Sequence, residues 1–240
     1  MIHVRLSMMF YSLRSFSIQR RTVSDTMQNQ LFTKNSDLFD KYTPPDWTTS
    51  KIPPKSIPKS RLNLSIRPTP IHKWHLPGTP SNFQLYIKRD DLNGSVLGGN
   101  KIRKIEFTLA KAISEGKNHV LTWGSIKSNH CRTTALVCAQ LGLKCTLLQT
   151  SDGNPEDLVT EGNVLLSMMT EARCVVCPND TDFATAKDMM GEIMKKIETE
   201  GDRPCMIGRG GTQPDAVFAY ELVLKKCEIL AKNRNGQIVT

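Results

Sequence analysis

No stretch of this chain approaches the roughly 20 consecutive apolar residues that a membrane-spanning helix needs. A helical membrane protein is therefore not expected, and no membrane partner with it. Aromatic residues make up only 6%, and no stripe of Lys and Arg is interleaved with them. That argues against a nucleic-acid interface, although Lys and Arg outnumber Asp and Glu by 32 to 23. Cysteines number seven, an odd count, and no secretory signal pattern precedes them. Reduced thiols in an intracellular compartment follow as the expectation. Cys174 and Cys177 form a lone C-x-x-C with no second pair, so they read as strand core rather than a zinc site. His72 and His75 lie in a proline-rich stretch and read as packed or solvated, so no metal site is expected.

Acids are absent before Asp25, while Arg5, Arg14, Arg20 and Arg21 precede it. Residues 1–24 therefore read as a mitochondrial presequence or as an unstructured basic tail, and the address as mitochondrial or cytoplasmic. Nine of the 13 prolines fall between Pro44 and Pro80, which precludes a long helix there. Residues 25–64 read as a disordered or extended arm draped over the folded part.

From Phe83 onward strand and helix patterns alternate. Strands are expected at Gln84–Lys88, His119–Trp123, Lys144–Leu148, Arg173–Cys177 and Pro204–Ile207. Helices are expected at Ile102–Ser114, Asn129–Leu141, Asp157–Met169, Asp182–Thr199 and Asp215–Lys232. The first has Ile102, Ile105, Leu109, Ala112 and Ile113 on one face. This alternation implies an α/β fold of right-handed βαβ units on a parallel sheet. In such sheets ligands sit where strands run into helices.

Two such loops carry candidate chemistry. The first runs from Asp90 to Lys101 and ends Gly98-Gly99-Asn100-Lys101. It is not a P-loop, because Asn100 separates Gly99 from Lys101 and Ile102 stands where Ser or Thr would hold magnesium. The dinucleotide fingerprint G-x-G-x-x-G is also absent. A cation at a helix N-terminus is oddly placed for structure, since the helix dipole disfavours it. With Arg103 and Lys104 nearby, Lys101 is a candidate nucleophile toward carbonyls, the alternative being a solvated lysine. The second loop, Gly124 to His130, offers Ser125, Ser128 and Asn129 as helix caps or as an anion cradle.

The segments IKRDDLNGSVLGGNKIRKIEF and TWGSIKSNHCRTTALVCAQLGL together resemble the D-cysteine desulfhydrase and 1-aminocyclopropane-1-carboxylate deaminase family. These are pyridoxal-phosphate-dependent enzymes of the tryptophan-synthase-β-like fold, fold type II. The resemblance runs from about Ser65 to about Lys232. It implies that Lys101 binds pyridoxal 5'-phosphate covalently and moves the substrate's Cα proton. Asn129 corresponds to the residue at the cofactor's phenolic oxygen, and Lys104 to a second lysine near the cofactor. Ser128, Asn129 and His130 correspond to the loop that receives the substrate carboxylate, with Ser128 also a candidate nucleophile or proton carrier. The implied reaction takes D-cysteine to pyruvate, ammonia and hydrogen sulfide. Alternatively, it takes the cyclopropane amino acid to 2-oxobutanoate and ammonia.

The segment Gly208-Arg209-Gly210-Gly211-Thr212 matches a glycine turn of the family, where a residue smaller than Arg209 is usual; it reads as a backbone bend. The family pattern continues about a hundred residues further, by typical domain size. A C-terminally truncated chain is thus expected, with a complete small domain (97–200) and a partial large domain (65–96 and 201–240). An inactive product without the phosphate loop is the alternative to a working enzyme, and a homodimer is implied by the resemblance.

Overall fold

The computed structural model describes residues 36–94, 98–151 and 161–221, together with 223, 224 and 227. The presequence reading over 1–24 lies outside the described residues, as do Ser95 to Leu97 in the first loop and the ends of two expected helices.

Four parallel strands make the central sheet: β5 (His119–Ser125), β6 (Lys144–Ser151), β7 (Arg173–Pro178) and β8 (Pro204–Ile207). Ahead of them come β1 (Phe39–Lys41), α1 (Asp46–Thr49), β2 (Ser60–Leu62), β3 (Ile71–Trp74), β4 (Leu85–Lys88) and α2 (Asn100–Ser114). The helices α3 (Asn129–Gln140), α4 (Gly162–Met169) and α5 (Phe183–Thr199) connect the four strands.

The spatial order is β7-β6-β5-β8. The chain therefore steps outward from β5 through β6 to β7, then returns across β5 to β8. Right-handed crossovers in opposite directions place their helices on opposite faces of the sheet. The core divides accordingly. Val120 and Leu147 pack on one face with Cys131, Ala135 and Cys138 of α3 and with Ile102, Ile105 and Leu109 of α2. Leu121, Leu148 and Val175 pack on the other with Met190, Ile193 and Ile197 of α5. Adjacent residues of one strand serve different layers because side chains alternate across a sheet.

The same alternation separates the C-x-x-C pair. Cys174 packs against the first cluster and Cys177 belongs to the second, so the two thiols face away from each other.

One expectation is modified. The strand at Leu85–Lys88 does not join the parallel sheet; it pairs antiparallel with β3, Ile71 opposite Lys88 and Trp74 opposite Leu85. The arm is ordered over its described part: β1 pairs antiparallel with β2, and Leu62 is fully buried in the first core cluster. Glu106 of α2 ties this region down by accepting from the backbone N–H groups of Leu64 (3.0 Å) and Ser65 (2.8 Å). Strand β8 pairs in parallel with β5, so the start of the 201–240 segment shares the four-stranded sheet.

Candidate active site

The strand order reverses between β5 and β8, and a crevice at such a point is where open α/β sheets bind ligands. Three segments meet there: the start of α3 after β5, the turn after β8, and the first turn of α2.

Lys101 is the second residue of α2, after Gly99 at φ 118°, a backbone conformation suited to glycine. The position of Gly99 is held from behind. Asn93 is fully buried; its Nδ2 donates to the Gly99 carbonyl and its Oδ1 accepts from the Gly99 N–H, both at 3.0 Å. Arg103, expected to press on Lys101, is instead paired with Asp90, its Nε and Nη2 donating at 2.7 and 2.8 Å. That leaves Lys104 as the neighbouring cation. Its Nζ donates to the Gly210 carbonyl at 3.2 Å and lies 5.8 Å from the ring centre of Tyr220. Burial and the nearby Lys101 charge lower its pKa. Tyr220 in turn donates to the carbonyl of Asn100 at 3.1 Å.

The turn Gly208–Thr212 is more than a bend. Gly210 and Gly211 have φ of 67° and 71°. A Cβ on Gly210 would lie 3.8 Å from Lys101 Nζ. One on Gly211 would lie 3.3 Å from Lys104 Cδ and 3.4 Å from His130 Cε1. These glycines form a wall against which both lysines and His130 pack. Arg209 is accommodated by turning outward, its guanidinium 5.1 Å from the ring centre of Trp123.

His130 is buried, and its tautomer follows from its partners. Thr122 Oγ1 donates to the Ile207 carbonyl at 2.8 Å, which uses its proton. His130 Nε2, at 2.9 Å, must therefore donate to that oxygen. The Nδ1 lone pair is left buried with no protein partner among the described residues. Burial first, then the charges of Lys101 and Lys104, push the His130 pKa down to about 4. With its ring turned inward and neutral, His130 has only its backbone N–H to offer a carboxylate.

At the start of α3, Ser128 Oγ accepts from the Cys131 N–H at 3.2 Å, an ordinary cap. The first N–H groups of a helix have no partner within it. Those of Asn129 and His130 have no acceptor among the described residues. Asn129 is exposed, and its Oδ1 accepts from Nδ2 of Asn163 at 2.9 Å.

Of the expected residues, Lys101, Lys104 and His130 converge on the Gly210–Gly211 wall, and Ser128 and Asn129 stand on the helix start that carries His130. No hydrogen bond joins Ser128 to Lys101 among the described residues. Asn93, Thr122, Asn163 and Tyr220 were not legible as site residues, because each acts through a hydrogen bond to another segment that only the folded chain brings within reach. Two half-buried amines with no carboxylate partner among the described residues, together with free backbone N–H donors, suit an anionic carbonyl compound. The donor set fits pyridoxal phosphate.

Residues 62–229 match the family described as pyridoxal-phosphate dependent enzyme. The chain belongs to that family. Among other pyridoxal-phosphate-dependent enzymes, it is similar to the bifunctional D-cysteine desulfhydrase/1-aminocyclopropane-1-carboxylate deaminase, mitochondrial, of Arabidopsis thaliana. The two are 37% identical over 208 residues, covering 85% of this chain and 50% of the relative. It is 37% identical over 162 residues to the D-cysteine desulfhydrase of Yersinia enterocolitica, covering 67% and 48%. A crystal structure of an ACC deaminase homologue superposes with a TM-score of 0.62 at 32% identity, over 74% of this chain and 54% of that one. The fold is thus the fold type II of pyridoxal-phosphate enzymes expected above. The chain spans about half the length of the curated relatives it matches. Among the described residues no helix is long and apolar enough to cross a membrane.

Proposed function

We propose that the protein carrying this chain is a D-cysteine desulfhydrase-like lyase, releasing pyruvate, ammonia and hydrogen sulfide. The observation that carries this reading is the convergence of Lys101, Lys104 and the start of α3 on the Gly210–Gly211 wall, in a chain whose relatives are named for that activity. The cofactor, when bound, supplies the electron sink that makes a bond at the substrate's Cα labile. The chain's own residues do the rest. Lys101 would hold the cofactor through its Nζ, and the same atom would take the substrate's Cα proton. Lys104 neutralises negative charge beside it. The free N–H groups of Asn129 and His130, with the Ser128 hydroxyl, receive the substrate carboxylate. The Asn129 amide nitrogen would donate to the cofactor's phenolic oxygen.

Deamination of the cyclopropane amino acid is the second reading, because the plant relative is named for both activities and the solved structure for this one. The division into a small domain (97–200) and a partial large domain, and a homodimeric assembly, belong to the same proposal.

Full-length protein supplied with pyridoxal phosphate is expected to release pyruvate and sulfide from D-cysteine. Release of 2-oxobutanoate from the cyclopropane substrate alone would favour the second reading, and release of neither product would overturn both.

A mitochondrial address is supported by the arginine-rich, acid-free residues 1–24 and by the name of the plant relative. A fluorescent reporter fused to residues 1–24 is expected to enter mitochondria; one that stays wholly cytosolic would remove this address.

A further inference from the structure

We propose that Asn163 is a positioning residue: it dictates which end of the Asn129 amide faces the ligand. The proposal rests on the pyridoxal-phosphate reading of the site and adds to it a residue from a different helix.

A primary amide is ambiguous. Its oxygen accepts, its nitrogen donates, and a half-turn exchanges them. At Asn129 the ambiguity is removed by a neighbour 34 residues away in sequence. Asn163, the second residue of α4, donates through Nδ2 to the Lys127 carbonyl at 2.8 Å and to Asn129 Oδ1 at 2.9 Å. A carbonyl oxygen can only accept, so the group of Asn163 that meets Lys127 is its NH2. That group carries two N–H bonds, and the second must end on an acceptor. The atom of Asn129 at that contact is therefore oxygen.

The consequence falls on the other end of Asn129. Its NH2 has no protein partner among the described residues, so what it offers a ligand is donor only. An oxygen with negative charge gains most from such a donor. Were Asn129 free to rotate, half of its orientations would present a lone pair to that oxygen and repel it. The Lys127 contact also holds the loop before α3, so one side chain sets both the place and the polarity of the amide.

A purely structural Asn163 would tie α4 to the loop and leave the ligand indifferent. Two variants separate these roles. Asn163→Ala releases the Asn129 amide. Asn163→Asp keeps the shape but carries only acceptors, so it draws the Asn129 NH2 toward itself and turns the oxygen to the ligand. Titration of full-length apoprotein with pyridoxal phosphate is expected to show about a tenfold weaker affinity for N163A, the worth of one hydrogen bond to a charged group. N163D is expected to be weaker still. Both should shift the absorbance band of the bound cofactor or its pH titration, while the thermal midpoints of the two apoproteins stay close to each other. In an Asn129→Ala background, N163A should change neither affinity nor spectrum further. If N163D fails to fold, N163A and this double-variant comparison carry the test. Wild-type affinity and spectrum in N163A, or an undiminished effect of N163A without Asn129, would overturn the role of Asn163 alone. A wild-type protein that takes up no pyridoxal phosphate would overturn the cofactor reading and this inference together.

Discussion

Lys101→Ala is expected to abolish covalent capture of pyridoxal phosphate and to lower turnover of the full-length protein by at least about 10²-fold, the scale of losing a positioned proton carrier. The fold should survive. Among the described residues no hydrogen bond or ion pair engages Lys101 Nζ, while the helix behind it is anchored by Ile102, Ile105 and Leu109, all fully buried. Removing a cation from a helix N-terminus also relieves an unfavourable dipole interaction. The thermal midpoint is therefore expected to stay within about 2 °C of wild type, a shift on the order of 1 kcal/mol for a chain of this size. Borohydride reduction of the wild-type complex, followed by peptide mapping, should place the label on Lys101. Lys104 is the sharpest alternative, since it shares the Gly210–Gly211 wall and has its own pKa lowered by burial and by Lys101. A label on Lys104, or one retained in K101A, would overturn the assignment. The substitution has a second readout without cofactor. The Lys101 charge helps to depress the His130 pKa, so the His130 titration followed by NMR should move upward in K101A.

His130 is expected to make the protein sensitive to acid. Its folded-state pKa of about 4 lies below the value near 6.5 of an unfolded histidine. The unfolded chain thus binds the proton more tightly. The stabilisation is complete above pH about 6.5, declines as pH falls, and is gone below pH about 4. The gap corresponds to about 3 kcal/mol, with a slope of up to about 1.4 kcal/mol per pH unit inside that window. His119 acts in the same direction. It is buried, its pKa is lowered chiefly by desolvation, and its Nδ1 lies 3.1 Å from Asp202. Asp202, held below its usual range by Lys144 and His119 against the cost of burial, extends the effect to lower pH. Urea unfolding at pH 7, 5.5 and 4.5 checks this. His130→Gln keeps a donor for Thr122 but cannot titrate, so it should flatten much of the slope between pH 6.5 and 4. An unchanged slope in H130Q would show that the burden lies elsewhere.

What was readable from the chain itself is what depends on neighbours in sequence. The apolar spacing of Ile102, Ile105 and Leu109 specifies α2 and its buried face, because a helix repeats every 3.6 residues. Ser128 reads as a cap because a hydroxyl there meets the N–H three residues on, and it does. Gly99 ahead of Lys101 and the alternation of strand with helix place the lysine at a strand-to-helix junction of an α/β fold. The pair of motifs around Lys101 and Asn129 points to the family. The tertiary structure decided which strands pair and which side chains meet. Strand pairing joins backbone groups that carry no sequence label, so β4 could pair antiparallel with β3 instead of entering the parallel sheet. Likewise the return from β7 across β5 to β8 is a choice of topology. That choice brings the turn at Gly210 beside Lys101 and His130, and puts α3 and α5 on opposite faces. The protonation of His130 and the polarity of Asn129 come last in this order. Each is set by a donor or acceptor from another element, Thr122 in one case and Asn163 in the other, whose nearness exists only once the sheet is assembled.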